Sequence, residues 1–492
     1  MTNVVRYTYD DSRDTTQVRA RKLLAVRAVW LAPIAIAAIL MLFMTMFYIG
    51  AIVNPGGHLS GLPVVMVNED QGATTQGGHV NFGAEVAADL LGSHPVTSRL
   101  ALREVTPAQA EARMDSGEAF ADIVVPCDFS ASLLSAYGLT PAAGTTASAS
   151  RSCASTSSEP AEVPTVELLT NPRAGGTGVQ LATGVAQPAL LKVSYGLGRS
   201  LTAEAARLGR TPSGKADASD PLTLVTSDFR ALPPNSAIGL SAFYISLLAI
   251  MCGFLGAVLV NSSIDTVLGY GPSEVGPRWR HRLPVGISRW QTLLTKWAVT
   301  AAAVPVLTGV LVAVAAGLLH MNTPHAGELW LFASFAGIAI AAGTLAMFAA
   351  FGSLGQLLAM LLFVYLALAS SGGTIPVQAL PSFFRFAAAF EPLRQVLGGV
   401  RSILYFNAQA DAGLTRGVVL SSIWLVFWVI IGAAVTRWYD HKGLDRLNPD
   451  VLEFIQRSAR PYIAQAQHPM ATGPSHDPAP IAGSPQGSPR HD

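Results

Sequence analysis

Residues 329–375 read LWLFASFAGIAIAAGTLAMFAAFGSLGQLLAMLLFVYLALASSGGTI, without one Asp, Glu, Lys or Arg. A helix rising roughly 1.5 Å per residue needs about 20 mostly apolar residues to cross a hydrocarbon layer near 30 Å thick. The stretch is long enough for two crossings, 329–351 and 354–375, and Gly352, Ser353 and Gly355 between them allow a tight reversal. It therefore reads as a helical hairpin in a membrane. Four further segments meet the same test, 28–53, 238–260, 297–319 and 417–435. The expected fold is an α-helical integral membrane protein with six transmembrane helices, one before and five after a long inserted domain. Composition agrees, since 50% of the 492 residues are hydrophobic and 13% are charged, against about 25% charged in soluble domains.

Lys and Arg in the short flanks set the orientation. Arg6, Arg13, Arg19, Arg21, Lys22 and Arg27 precede the first span, Arg278, Arg280, Arg282, Arg289 and Lys296 lie between the second and third, and Arg437, Lys442 and Arg446 follow the sixth. The connection between the third and fourth spans has none. Both termini are thus expected in the cytoplasm, in a multi-pass protein of the plasma membrane. Trp30, Trp297, Trp330 and Trp438 stand at span ends, where an amphipathic ring suits the headgroup level. The first span is too long and too polar in its flank for a signal peptide, and Asn54, Pro55, Gly56 and Gly57 read as a turn rather than a cleavage site.

Between the first two spans, 54–237 alternates β-like runs with helical ones, the pattern of an extracytoplasmic α/β domain. Strands are expected at 62–68, 98–105, 120–126 and 165–170, and helices at 80–91, 107–114, 128–137 and about 178–208. Thr106 is the expected N-cap of the second helix and Gly117 its stop. Residues 140–162 are nearly all Ala, Ser, Thr, Gly and Pro and read as a disordered insertion. Cys127 and Cys153 both fall in this outer region, where disulfides persist. A bond between them and a free buried thiol at Cys127 are both compatible with the sequence. The remaining pieces are a basic cytoplasmic segment 1–27, a cytoplasmic loop 261–296, and a cytoplasmic tail 436–492, disordered from about 468, with an amphipathic helix at 451–465.

Several functions are disfavoured. A formal net charge of +1 gives no field to gather nucleic acid. Gly209, Gly214 and Lys215 resemble an ATP-binding loop, but Ala216 stands where the magnesium-binding hydroxyl belongs. No HExxH, GxSxG or GxGxxG occurs, so no catalytic residue, cofactor or metal site is assigned and the chain does not read as an enzyme. The run Asn68 to Gly72 lacks the later ligands of a calcium loop and reads as a turn. The spans carry no ionisable residue of the kind that relays protons. Asn261, Gln356, Ser370 and Ser371, the polar positions nearest the core, read as helix-packing hydrogen bonds.

The segments 64–72 (VVMVNEDQG), Asn81 with Gly83, 125–130 (VPCDFS) and 170–172 resemble the YhgE/Pip, or phage infection protein, family and its DUF3533 relatives, whose membrane part is similar to ABC-2 type permeases. Cys127 stands where that family has a lysine or another polar residue. In the membrane part the carriers are 282–296 (RLPVGISRWQTLLTK) and 371–384 (SGGTIPVQALPSFF), with Glu391 a departure from the permease pattern. The resemblance implies a six-helix (1 + 5) ABC-2 permease fold, a homodimer or heterodimer in contact with membrane lipid, and an ATPase on a separate chain. Arg282, Pro284, Ser288 and Lys296 would belong to the loop that couples to that ATPase. Pro376, Pro381 and Pro392 break the chain into pieces too short to span, so 376–416 is expected to be an outer re-entrant or interfacial segment. Arg385, Glu391, Arg394 and Arg401 would rim this outer gate, meeting anionic headgroups, solvent or one another.

The leading functional expectation is a permease subunit of an ABC-2-like exporter for an amphipathic, lipid-like or toxic compound. A second is a non-transporting envelope scaffold or receptor for a phage, cell-wall or secretion-machine partner. A third is half of a proton-driven RND exporter, which shares the order of spans but needs intramembrane carboxylates. Topology is directly testable. A cysteine introduced at position 120 should react with a membrane-impermeant reagent from outside the cell, and labelling from the cytoplasm alone contradicts the orientation.

Overall fold

The computed structural model describes residues 27–75, 78–139, 164–209, 221–271, 273–275, 278–280, 284–444, 446 and 453. The expected basic segment before residue 27, the insertion 140–162 with Cys153, Arg282, the surface helix 451–465 and the tail from 468 lie wholly or largely outside the described residues.

Among the described residues six helices are long and apolar enough to cross a membrane. They are α1 (Arg27–Ile52), α6 (Ser241–Val267), α7 (Arg289–Ala313), α8 (Ala326–Phe351), α9 (Ser353–Met360, continued by a π-helical turn and Ala367–Ser370) and α12 (Thr415–His441). Between them lie the helices of the α/β domain, α2 (Phe82–Gly92), α3 (Pro107–Asp115), α4 (Phe129–Ala136) and α5 (Gly176–Arg207), and two short ones after α9, α10 (Ser382–Phe390) and α11 (Pro392–Tyr405). The expected reversal is present. Gly352 closes α8 with φ of +61°, a conformation costly for any residue with a Cβ, and α9 starts one residue later.

Helix α8 is the bundle's axis, packed against α6, α7 and α12. Lipid offers no hydrophobic drive for helix association, so close packing needs small residues. A Cβ at Gly253 of α6 would come within 2.2 Å of the Gly337 carbonyl of α8, so these backbones touch as only glycine permits. Buried hydroxyls add hydrogen bonds, such as Thr308 to Ser334 across α7 and α8 at 2.7 Å. Helix α1 stands apart. Among its described side chains only Phe47 and Ala51 are buried, in a cluster with Ala369, Leu380 and Phe384, and most of the described apolar ones are exposed.

The inserted domain is a five-stranded mixed sheet in the order β4-β1-β5-β6-β7, built from β1 (Leu62–Asn68), β4 (Leu100–Glu104), β5 (Ala121–Val125), β6 (Thr165–Thr170) and β7 (Thr223–Asp228). Only the β5–β6 pairing is antiparallel. A hairpin of β2 (Ala73–Thr75) and β3 (Gly78–Val80) follows β1, and a second, β8 (Ser273–Val275) with β9 (Arg278–Arg280), follows α6. Alternation along β1 sends Leu62, Val64 and Met66 into the larger core with α2, α4 and α5, and Val65 and Val67 beneath Ala110 and Met114 of α3. Thr106 forms a capping box with Gln109, and Gly117 follows with φ of +70°, as the sequence reading expects.

One carboxylate ties the domain's separated motifs together. Asp70 accepts from the backbone amides of Gly72, Gly83 and Ser130 and from the Ser130 hydroxyl, while Asn81 Nδ2 donates to the Asp70 backbone carbonyl at 2.9 Å. A Cβ at Gly83 would fall 2.5 Å from Asp70 Cβ, so this glycine allows the close approach. The segment after β1 is therefore a structural hub.

Asp122 of β5 is the less satisfied acid. It is 4% exposed, and its Oδ1 has no hydrogen-bond partner among the described residues. Burial, then repulsion from Glu167 and Glu69, pushes its pKa from 3.8 up to about 7. The folded protein therefore holds a proton that the unfolded chain has already released between these values. Stability falls as pH rises through that window, by on the order of 1 kcal/mol per pH unit at steepest, and levels off above it. Asp122→Asn should flatten the dependence and raise the unfolding temperature at pH 8, as read by thermal unfolding of the detergent-solubilised protein from pH 5 to 8; parallel profiles for the two proteins contradict it.

Candidate functional site

At the end of the bundle away from the sheet, α6, α7, α8, α9 and α12 surround a cavity of about 780 Å³, within the range of small-molecule sites. Its apolar wall includes Val258, Leu293, Leu345 and Phe348, and its polar wall Asp265, Lys296 and Arg446. Both α6 and α7 run past the apolar stretches read from sequence, and this extension brings Asp265 and Lys296 onto facing helices. Lys296 Nζ donates to Asp265 Oδ1 and to Asn261 Oδ1, both at 2.7 Å. Arg446 Nη1 reaches Asp265 at 2.8 Å, and its guanidinium lies over the Tyr270 ring.

The connection into α7 is strapped to the same network. Val285 N–H donates to the Leu268 carbonyl and the Tyr270 hydroxyl to the Val285 carbonyl, so the segment after Pro284 lies against the end of α6. Ser288 caps α7 through the Gln291 amide, and Asp440 of α12 accepts from the amides of Arg289 and Trp290. A carboxylate suits the positive end of a helix. Of the expected coupling residues, Pro284 and Ser288 thus sit on this strap, whereas Lys296 is 5% exposed inside the bundle and offers no outer surface. Gln356 lines the cavity.

At the sheet-bearing end, the chain after α9 breaks at the three expected prolines. Pro376 precedes a 3₁₀ turn, Pro381 precedes α10, and Pro392 opens α11, positions where a missing amide costs nothing. The four ionisable residues expected along one rim part company. Arg385 binds the Ser60 hydroxyl and the carbonyls of His58, Gln378 and Leu380, riveting the entry of the sheet domain. Glu391 is a buried cap, 3% exposed, accepting from the amides of Leu393 and Arg394. Arg394 donates to the Ala388 carbonyl. Arg401 instead faces the sheet domain and lines a second cavity there.

Sequence reading missed the tie that joins the two parts. Arg173 donates to the carbonyls of Ala231 and Tyr405, and the Tyr405 hydroxyl meets the Ser241 hydroxyl and the Ala242 amide at the start of α6. Arg173 directly follows the 170–172 segment, the only local hint of its role. For the distal network the available hint was spacing, since Asn261 and Asp265 lie four apart on one helix face with no breaker before Gly269.

Removing Lys296 takes the more deeply buried of two cations from Asp265 and leaves it with Arg446. Lys296→Met should therefore lower stability by about 2 kcal/mol, the scale of one charge-assisted hydrogen bond, and adding Asp265→Leu should cost less than it does in the wild-type background; a strictly additive double-mutant cycle in thermal unfolding contradicts the coupling.

Against known families, residues 27–436 match the one described as ABC-2 family transporter protein. No curated protein matches the chain.

Proposed function

The chain belongs to the ABC-2 transporter family, and we propose that it is the permease subunit of an exporter, oriented with both termini in the cytoplasm and energised by an ATPase on a separate chain. The finer kinship we propose is with the YhgE/Pip and DUF3533 group, whose ectodomain segments converge here on Asp70. The observation that carries the reading is the distal cavity. It is bounded by the two helices, α6 and α7, whose connection would meet the ATPase.

The strap supplies a transmission path. A push on the Pro284–Ser288 segment is delivered to the end of α6 through Leu268 and Tyr270, and to the start of α7 through the Ser288 cap. Both helices reach the cavity wall through Asp265 and Lys296. We assign the coupling role to Arg282, Pro284 and Ser288, and a positioning role to Lys296. An amphipathic cargo suits a cavity with one polar and one apolar wall. The exposed apolar length of α1 suits lipid or a second subunit, consistent with a dimer in the plasma membrane.

Purification in mild detergent, with mass spectrometry of co-purifying chains and an ATP hydrolysis assay, tests the reading. A stoichiometric ATPase with vanadate-sensitive turnover is expected, and Pro284→Ala or Arg282→Ala should leave hydrolysis in place while reducing export at least about tenfold, the scale of one lost coupling contact worth roughly 1.4 kcal/mol. A clean preparation without ATPase favours the scaffold or receptor alternative, and unchanged export in the variants removes the coupling assignment.

A further inference from the structure

A second cavity, of about 190 Å³, lies where the sheet domain meets the bundle. Three glycine-rich pieces line it, the start of α5 (Gly175, Gly176, Gly178), the entry to α6 (Gly239) and the exit from α9 (Gly372, Gly373), together with Arg401 of α11. No Asp or Glu is among its lining residues.

Two sources of positive potential converge there. The first is the start of α5, a helix of 32 residues with no side-chain cap and no acidic residue in its first turn. Helix geometry leaves the first-turn amides without intrahelical acceptors, and the amides of Gly176, Thr177 and Gly178 find none elsewhere among the described residues. The second is the Arg401 guanidinium. A Cβ on Gly175 would lie 3.3 Å from its Nη2, so the cation sits against the helix end. Arg401 Nε is completely buried and has no hydrogen-bond partner, and the side chain has no salt bridge among the described residues. A cation set into protein beside a positive helix end is costly unless an anion joins it.

The backbone around the cavity is also strained. Ala237 and Ile238 hold φ of +51° and +56°, a region that non-glycine residues, β-branched ones above all, avoid. Such strain persists only where the surroundings enforce it, and it clusters at binding sites.

We propose that this junction cavity is an anion site that binds a phosphate group, held between the first turn of α5 and Arg401. Amide donors at a helix start together with a guanidinium are the chemistry that recognises phosphate. The cavity has the volume of about six waters at roughly 30 Å³ each, enough for one phosphate with part of its hydration. Bound there, the anion bridges the sheet domain, α11 and the entry to α6. The phosphate comes from free phosphate or from the headgroup of an anionic phospholipid. The site stands apart from the transport reading, and its test needs no ATPase.

The test is thermal unfolding of the full-length protein in detergent, titrated with inorganic phosphate at constant ionic strength, for wild type, Arg401→Gln and Gly176→Asp. The Gly176 position has room, since the nearest atom to an added Cβ is the Ile238 carbonyl oxygen at 3.7 Å. Phosphate should raise the wild-type midpoint saturably, with affinity at least about tenfold weaker in Arg401→Gln. Gly176→Asp, which supplies its own anion, should unfold at a higher temperature than wild type and lose the phosphate response. Repeating the titration in nanodiscs with and without phosphatidylglycerol identifies the source. A lipid ligand raises the midpoint of wild type but not of Arg401→Gln and removes the response to added phosphate, whereas a free-phosphate ligand leaves that response in both discs. Identical behaviour of wild type and Arg401→Gln in every arm, with no gain in Gly176→Asp, overturns the proposal.

Discussion

Charge and unpaired backbone are expensive in hydrocarbon, and this constraint arranges the molecule. The apolar middles of α6, α7 and α8 are knit by close backbone contact, as at Gly253 and Gly337, and by hydroxyl pairs such as Thr308 with Ser334. Ionisable groups gather toward the two ends, where each does mechanical work. At one end Asp265 gathers Lys296 and Arg446 and so joins α6, α7 and the chain beyond α12. At the other, Arg385 and Arg173 clasp carbonyls across the boundary between the sheet domain and the bundle.

The sheet domain obeys the rules of water instead, with a core on each face of the sheet and Asp70 as the meeting point of three loops. Its attachment is more than a tether. Arg173 contacts the last residue of α11, and that residue, Tyr405, contacts the first residues of α6. A displacement of the sheet domain is thus felt by a helix whose far end lines the distal cavity. Helix α6 links the two ends of the molecule, and this gives a permease of this shape a physical route between its faces.

Much of this was legible in the sequence, for reasons that also mark where legibility stopped. Apolar runs expose spans directly, and the Thr106 box, the Gly117 stop and the three prolines after α9 act through local geometry alone. Strand β7 escaped notice because it is an edge strand, polar and mostly exposed, with no alternation to read. Hydropathy located the apolar middles of α6 and α7 but could not see that each helix extends further at the end away from the sheet, and so hid the Asp265–Lys296 pair. The charges after α9 looked like one rim because sequence carries no direction. Packing sends Arg385 to the domain entry, buries Glu391 as a cap on α11 and turns Arg401 toward α5. Pro392 in the first turn of α11 was the available sign that Glu391 would be a cap.

The source of energy is the point on which the account turns, because the described spans hold their charges at helix ends rather than in a proton relay. The most direct measurement is movement of a fluorescent amphiphile in proteoliposomes holding this chain and any ATPase that co-purifies with it, at constant ATP, with and without a protonophore. Transport that persists with the protonophore and stops with vanadate is the predicted result. Transport that collapses with the protonophore while ATP is held constant would contradict the account.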